Sequence, residues 1–305
     1  MKTTKKIKFV ALNILLLAVF GCQKPGPVTV DTGTSDDVLD VSTVVPADSA
    51  ATFGQIDSLG ILPADAATFS GFLLVNSVTY DNGPADTNVV KQYAAVYFAD
   101  RSHPVVDGRG RVLGYYGMNI TPTLTGSKIM VNSLPMVRIP YRLRLPGVTG
   151  DSICGYLYVR NLAGTHHPNT AFLWNVPAGD QGSVAGFTVQ IVTPEDVHVL
   201  APEGGSVLSR NSPITLRWAG KGDLNIVVSV IDPVTQATTA VMKLHPKSGT
   251  GKAVLDARVL ALLPPGRHFV FSFIAANRQE ITVGQYQGKV LVQAAAVYNI
   301  YVELK

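Results

Sequence analysis

From Lys289 to Leu304 the chain alternates with a period of two, so that Val290, Val292, Ala294, Ala296, Tyr298, Ile300, Val302 and Leu304 share one face. Successive side chains of a strand point to opposite faces, whereas a helix brings a face round about every 3.6 residues. Such a run requires one unusually long strand, or a strand broken by a bulge. The fold must therefore supply a sheet long enough to hold it.

Shorter runs repeat the pattern upstream. Ile214, Leu216 and Trp218 fall on one face of a strand with a central tryptophan, Leu224, Ile226, Val228 and Val230 keep the same register, and a shorter strand is expected over residues 239–244. Earlier still, apolar or alternating runs occupy residues 72–75, 92–99, 112–116, 128–132, 138–145, 153–160, 171–174 and 187–192, separated by Gly, Pro, Asn and Asp. Asn82-Gly83 is a turn signal of this kind. Helical periodicity is almost absent. Regular short strands with turn residues between them predict an all-β chain of antiparallel sandwiches.

Thr193-Pro194-Glu195-Asp196 reads as a joint, dividing a first sandwich over residues 69–193 from a second over 194–305. In the second, Leu262-Leu263-Pro264-Pro265-Gly266 leads into Phe269, which opens a strand, and Ala275-Ala276-Asn277 follows. At these residues the chain resembles a fibronectin type III or immunoglobulin-like domain. The family often has tyrosine at the position of Phe269; phenylalanine has no hydroxyl to return to the preceding loop, so the resemblance implies a corner interaction that is missing or replaced. The expected architecture is two tandem antiparallel immunoglobulin-like β-sandwiches behind a flexible N-terminal tether. The resemblance implies a fold and no ligand.

The N-terminus carries a different signal. Lys2, Lys5, Lys6 and Lys8 precede an apolar run over residues 9–20 that is broken only by Asn13. That is the form of a secretory signal, too short to span a bilayer as a mature helix. It ends Val19-Phe20-Gly21-Cys22, which resembles the lipobox of bacterial lipoproteins. The resemblance implies removal of residues 1–21 and lipidation of Cys22 by acyl chains, palmitate among them. More than one chain on a residue meets the requirement for stable anchoring. Residues 22–68, rich in Pro, Gly, Ser, Thr, Asp and Ala, are expected to form a lipid-anchored flexible linker. The expected location is the bacterial cell envelope, at the outer membrane or cell surface rather than the cytoplasmic membrane.

The formal charge of +4 comes from the four lysines of residues 1–21, a segment without acids, so the mature chain is neutral and nucleic-acid binding gains no support. Only two cysteines occur. With Cys22 lipidated, Cys154 has no disulfide partner. Its strand sequence predicts that Cys154, Tyr156 and Tyr158 share a face and that the thiol is buried and inert.

No catalytic frame emerges. Ser248-Gly249-Thr250-Gly251-Lys252 has Pro246 where a phosphate loop needs its first glycine and Ala253 where it needs Ser or Thr. His166 and His167 are adjacent, so on an extended chain they point apart and chelate poorly; no metal and no cofactor is expected. Residues 81–88 carry oxygen ligands but lack the glutamate and spacing of an EF-hand, and read as a turn. Two features remain as candidate binding residues. In the run Arg138 to Leu145, alternation turns Ile139, Tyr141, Leu143 and Leu145 inward and Arg138, Arg142 and Arg144 outward, with Pro140 marking an edge strand. Outward arginines on an edge block edge-to-edge pairing or meet an acidic partner. Eight of the eleven tyrosines lie between Tyr80 and Tyr158, and Tyr115-Tyr116 is the candidate platform for a sugar ring. The expected function is a non-enzymatic envelope or cell-surface lipoprotein, bound to the membrane through its N-terminal lipid, whose body binds an envelope protein or acts as a spacer. The alternative is a carbohydrate-binding, adhesive surface module that recognises polysaccharide.

Overall fold

The computed structural model describes residues 39–43, 69–83, 89–106, 110, 112–120, 128–143, 152–162, 167–179, 184–221, 224–232, 238–246, 251–264 and 267–305. Cys22, Arg144 and His166 lie outside them. The described residues are almost entirely β. In chain order the strands are β1 (Leu39–Thr43), β2 (Phe69–Asp81), β3 (Val89–Val106), β4 (Val112–Gly117), β5 (Met130–Val131), β6 (Leu134–Pro135), β7 (Val137–Leu143), β8 (Ser152–Leu162), β9 (Ala171–Val176) and β10 (Phe187–Val192). They continue with β11 (His198–Ala201), β12 (Ser206–Leu208), β13 (Ile214–Ala219), β14 (Leu224–Ile231), β15 (Thr238–Pro246), β16 (Lys252–Leu255), β17 (His268–Thr282) and β18 (Lys289–Leu304). A short helix, α1 (Ala257–Ala261), precedes β17, with Asp256 at its N-cap accepting from the amides of Arg258 and Val259.

One sheet of eleven strands organises the molecule, in the order β1-β15-β14-β17-β18-β2-β3-β4-β8-β7, with β12 added beside the end of β18. Two short sheets, β10-β9-β5-β6 and β11-β13-β16, pack on one of its faces, here the inner face. The arrangement is a sandwich-like stack in which one long layer serves two short ones.

The long strand β18 explains why. It pairs with β17 over fifteen consecutive residues without a register shift, so its alternation is unbroken. Val290, Val292 and Ala294 enter the core under β5, β9 and β10, together with Phe98, Trp174 and Ile191. Ala296, Tyr298, Ile300, Val302 and Leu304, on the same face, enter the core under β11, β13 and β16, together with Leu216, Trp218 and Phe271. The other edge of β18 pairs in parallel with β2. The sheet thus runs through the joint expected at residues 193 and 194 rather than stopping there.

The joint itself is packed. Thr193 is buried, its hydroxyl donates to the His167 carbonyl at 2.6 Å, and it accepts from the Thr170 amide at 2.9 Å. Asn277 and Gln279 of β17 donate to the carbonyls of Val192 and Gln190 in β10, each at 2.9 Å. The turn at Asp81-Asn82-Gly83 closes by a bond from the Gly83 amide to the Asp81 carboxylate at 3.1 Å. It sits so close to Gly204 that a Cβ there would meet the Asp81 carbonyl oxygen at 2.4 Å. Phe269 is fully buried, and the guanidinium of Arg210 lies over its ring at 5.4 Å.

Candidate functional site

The tyrosines and arginines singled out from the sequence meet where β3, β4, β8 and β7 form one end of the long sheet. The pairing here is irregular. β3 and β4 shift register between Asp100 and Pro104 and again between Val105 and Val106, and β7 and β8 shift between Pro140 and Arg142. Shifts of this kind twist a sheet and re-aim its side chains.

The tightest point is the bridge between Gly117 and Gly155. Gly155 has a φ of +100°, and a Cβ on it would lie 2.0 Å from the Gly117 carbonyl oxygen, so both the conformation and the contact require glycine. This residue corrects the expectation that Cys154, Tyr156 and Tyr158 share a face. Tyr158 enters the inner core, where its hydroxyl donates to the Ile120 carbonyl at 3.1 Å and accepts from the Ile120 amide at 2.6 Å. Cys154 packs instead with Val105 and Tyr141. Its thiol is fully buried, and burial pushes its pKa up, so it remains protonated at neutral pH.

The outer face at this end is an aromatic cluster. The rings of Tyr97 and Tyr141 lie 5.4 Å apart, and the Tyr97 hydroxyl donates to the Tyr115 carbonyl at 2.7 Å. Burial raises the pKa of both phenols, which therefore act as neutral packing and hydrogen-bonding groups. Tyr115 packs on this cluster and is half-buried, while Tyr116 is 41% exposed. Neighbours on one strand point apart, so the two rings form no common plane.

β7 is the edge strand that Pro140 predicted. Arg138 and Arg142 are exposed and Ile139 and Tyr141 half-buried, as alternation requires. The two exposed arginines differ in their engagement. The guanidinium of Arg138 lies 4.6 Å from the centre of the Tyr156 ring and donates to the Asn119 side-chain oxygen at 2.8 Å. Arg142 stands at the register shift beside Ile153, which is itself 52% exposed. A third arginine, Arg101, covers the Tyr115 ring at 5.3 Å and donates to the Ser70 hydroxyl. Cation–π contacts of this kind occupy aromatic faces that a sugar would otherwise stack on.

Sequence reading missed one polar cluster. At the β3 register shift, the Ser102 hydroxyl donates to Asp100 at 2.5 Å and lies 3.0 Å from Nδ1 of His103, and the same Nδ1 lies 2.6 Å from the second Asp100 oxygen. Burial pulls the Asp100 carboxyl up, but the bonds from Ser102 and His103 outweigh it and leave the group below the ordinary carboxylate range. Serine, histidine and aspartate are all present, yet both partners address one imidazole nitrogen. A nucleophilic relay needs the serine on one ring nitrogen and the carboxylate on the other. The cluster therefore fixes the bend instead of moving a proton. Its only sequence signal is Asp-Arg-Ser-His followed by Pro104, which marks a bend without specifying a contact.

Among the described residues no group of three or more His, Cys, Asp or Glu side chains is placed to hold a metal ion, and no helix is long and apolar enough to cross a membrane. His103 pairs with Asp100, and His167 is exposed.

No family model matches the chain, and no curated protein matches it. Among solved structures, a similarity is found to a yeast delta-COP-I mu-homology domain at 8% identity, covering 77% of this chain and 98% of that one, with a TM-score of 0.21. At that score it carries no inference.

Proposed function

We propose that the protein is a non-enzymatic lipoprotein of the bacterial envelope or cell surface, anchored through Cys22, whose β body serves as a protein-binding or spacer module. In this reading the body is a pair of immunoglobulin-like sandwiches, the second resembling a fibronectin type III domain, fused through a common sheet. The observation that carries the spacer and protein-binding role is the sharing of β18 by both cores, which makes the two halves one stiff plate instead of two hinged beads. A plate of this kind keeps its two edges at a fixed separation. Arg142, Ile153 and Tyr116 leave mixed apolar and cationic surface near the β7 edge, which suits a protein partner with acidic groups. The carbohydrate reading comes second, because Arg101 and Arg138 already cover the rings of Tyr115 and Tyr156.

The test uses the full chain expressed in a Gram-negative host, with envelope proteins cross-linked before extraction. Wild type is expected in the membrane fraction with one co-purifying protein near stoichiometry, and Cys22→Ser is expected to be released or to remain as precursor. Unchanged fractionation and mass of Cys22→Ser would sink the lipid anchor. Retention of polysaccharide without any protein would replace the protein-binding role with the carbohydrate one.

A further inference from the structure

The two short sheets differ in what they show to solvent. On β11-β13-β16, Arg217 and Lys252 stand opposite each other and both are exposed. On β10-β9-β5-β6, no exposed residue of the four strands is charged. Leu173 is 47% exposed there, Leu134 40% and Val192 38%, and the exposed residues between them are alanine, asparagine, threonine and glutamine. Loss of charge around an apolar centre distinguishes the middle of an interface from ordinary surface. The face is also held in place. The Asn132 side chain accepts from the Leu173 amide at 2.7 Å and donates to the Ala171 carbonyl at 3.4 Å, an extra rung at the centre of β9. A surface ordered in advance loses little freedom on binding.

Charge returns at the two ends of this face, with opposite signs. Met130 pairs with Asn175 and Val131 with Trp174, so the register carried back two residues sets Lys128 level with Pro177. At the other end Val192 pairs with Ala171, the Thr193 amide donates to the Thr170 carbonyl, and Glu195 accepts from the Asn169 side chain at 3.2 Å. Lys128, Glu195 and its neighbour Asp196 are exposed. Among the described residues neither Lys128 nor Glu195 makes an ion pair within its own chain. Leu173 stands midway between Asn169 and Pro177, with Lys128 on the β5 side of β9 and Glu195 on the β10 side.

This placement selects the occupant. When a surface packs on its own copy about a two-fold axis lying in the contact, each point meets the one reflected across that axis. An axis through Leu173, square to the line from Lys128 to Glu195, sets Leu173 against Leu173. It also sets Lys128 of each copy against the Glu195 of the other, once on either side. A partner of a single sign would instead meet repulsion at one end of the face.

We propose that the solvent face of β10-β9-β5-β6 packs on the same face of a second copy of this chain, centred on Leu173 and closed at its ends by the Lys128 and Glu195 pairs. The product is a stack of four layers, long, short, short and long. The face measures about 27 Å along the strands and about 19 Å across the four of them, so the contact covers about 500 Å² per copy. Stable interfaces take about 800 Å² per partner, so the dimer is weak when dilute and forms where copies are concentrated. The end pairs set orientation more than affinity. Anchoring of both copies to one membrane, as proposed above, would supply the concentration, whereas the face itself does not depend on the anchor.

The test uses the full chain in the membranes of its expression host, as two co-expressed copies with different affinity tags. A short bismaleimide bridges thiols on sheets packed about 10 Å apart. With it, Leu173→Cys is expected to give a cross-linked dimer carrying both tags, at least about tenfold more than Leu200→Cys, a control of similar exposure on the other short sheet. Wild type, whose Cys154 is buried, is expected to give none. Adding Lys128→Glu to Leu173→Cys is expected to lower the yield about fivefold, and adding Glu195→Lys as well to restore it to within about twofold. All three side chains are exposed, so the substitutions leave the core untouched. A Leu173→Cys dimer no more abundant than that of Leu200→Cys, or a cross-link to a different protein, overturns the proposal. So does a yield that Lys128→Glu leaves unchanged or that the reversed pair fails to restore.

Discussion

The two ends of the long sheet follow the same alternation rule with different fidelity. At the β14–β17–β18 end, β17 and β18 pair without interruption, one face packs the larger core, and the other buries Val227, Ile274, Ala295 and Val297 beside Ser272 and Asn299. At the β3–β4–β8–β7 end the ladder breaks at Asp100, Val105 and Pro140, and backbone approaches backbone at Gly117 and Gly155. Regular pairing buries side chains in rows and leaves little chemistry at the surface. Broken pairing turns side chains out of their rows, and it is there that arginine, tyrosine and a Ser-His-Asp cluster reach solvent. Stability should therefore be concentrated at one end and recognition at the other.

The largest effect is expected at the regular end. Phe271 is fully buried in the larger core, which Trp218, Ile226 and Ile300 also enter. Phe271→Ala removes a ring from a layer whose neighbours are held on three strands, and should cost about 4 kcal/mol by denaturant unfolding. A loss below about 2 kcal/mol would mean that this core collapses easily and that the ends do not differ as described. Gly155→Ala probes the other end. It forces a side chain into a left-handed conformation and against the Gly117 carbonyl, for an expected loss of about 3 kcal/mol. The two substitutions should also differ in kind. Gly155→Ala should make the Cys154 thiol accessible to labelling under conditions where the β17–β18 amides remain protected from exchange, since the glycine bridge closes over that cysteine's own strand. Equal protection at both ends would show that the sheet opens only as a whole.

The same contrast explains what could be read from the chain alone. Strands β10, β14 and β18 fall at residues 187–192, 224–231 and 289–304, where alternation or a plain apolar run placed them, because each is paired on both sides or packed on a face that admits only apolar residues. β3 extends past the expected Ala99 to Val106, because a strand can continue through a bend once its polar residues bond locally, as Asp100, Ser102 and His103 do. α1 went unseen for a related reason. The run 259–263 is apolar and short enough to suit a strand, and only Asp256, whose carboxylate caps two amides, distinguishes it. Least legible was the common sheet. Nothing in the alternation of β18 states that its first half and its second half enter different cores, since one face looks the same whichever layer covers it. On the candidate surface, the edge position of β7 was legible from Pro140 and the arginine spacing. The covering of Tyr156 by Arg138 was not, because it depends on which residue lies opposite across a ladder whose register shifts.

The smallest effects sharpen the comparison where recognition is expected. Arg138 lies over Tyr156 and bonds Asn119, so Arg138→Ala should lose about 1 kcal/mol of stability through the aromatic contact and the hydrogen bond together. Arg142 is exposed at the edge beyond the register shift, so Arg142→Ala should change stability by no more than about 0.5 kcal/mol. The pair separates two roles that alternation alone assigns alike. If partner capture from envelope extracts falls in Arg142→Ala while its unfolding curve overlays wild type, the edge arginine acts in recognition and the irregular end carries the interface. If capture is unchanged there and falls only in Arg138→Ala, in step with its stability, the arginines serve the sheet edge itself, and the binding surface has to be sought on the solvent face of the β10-β9-β5-β6 sheet, where Leu134, Leu173 and Val192 are exposed.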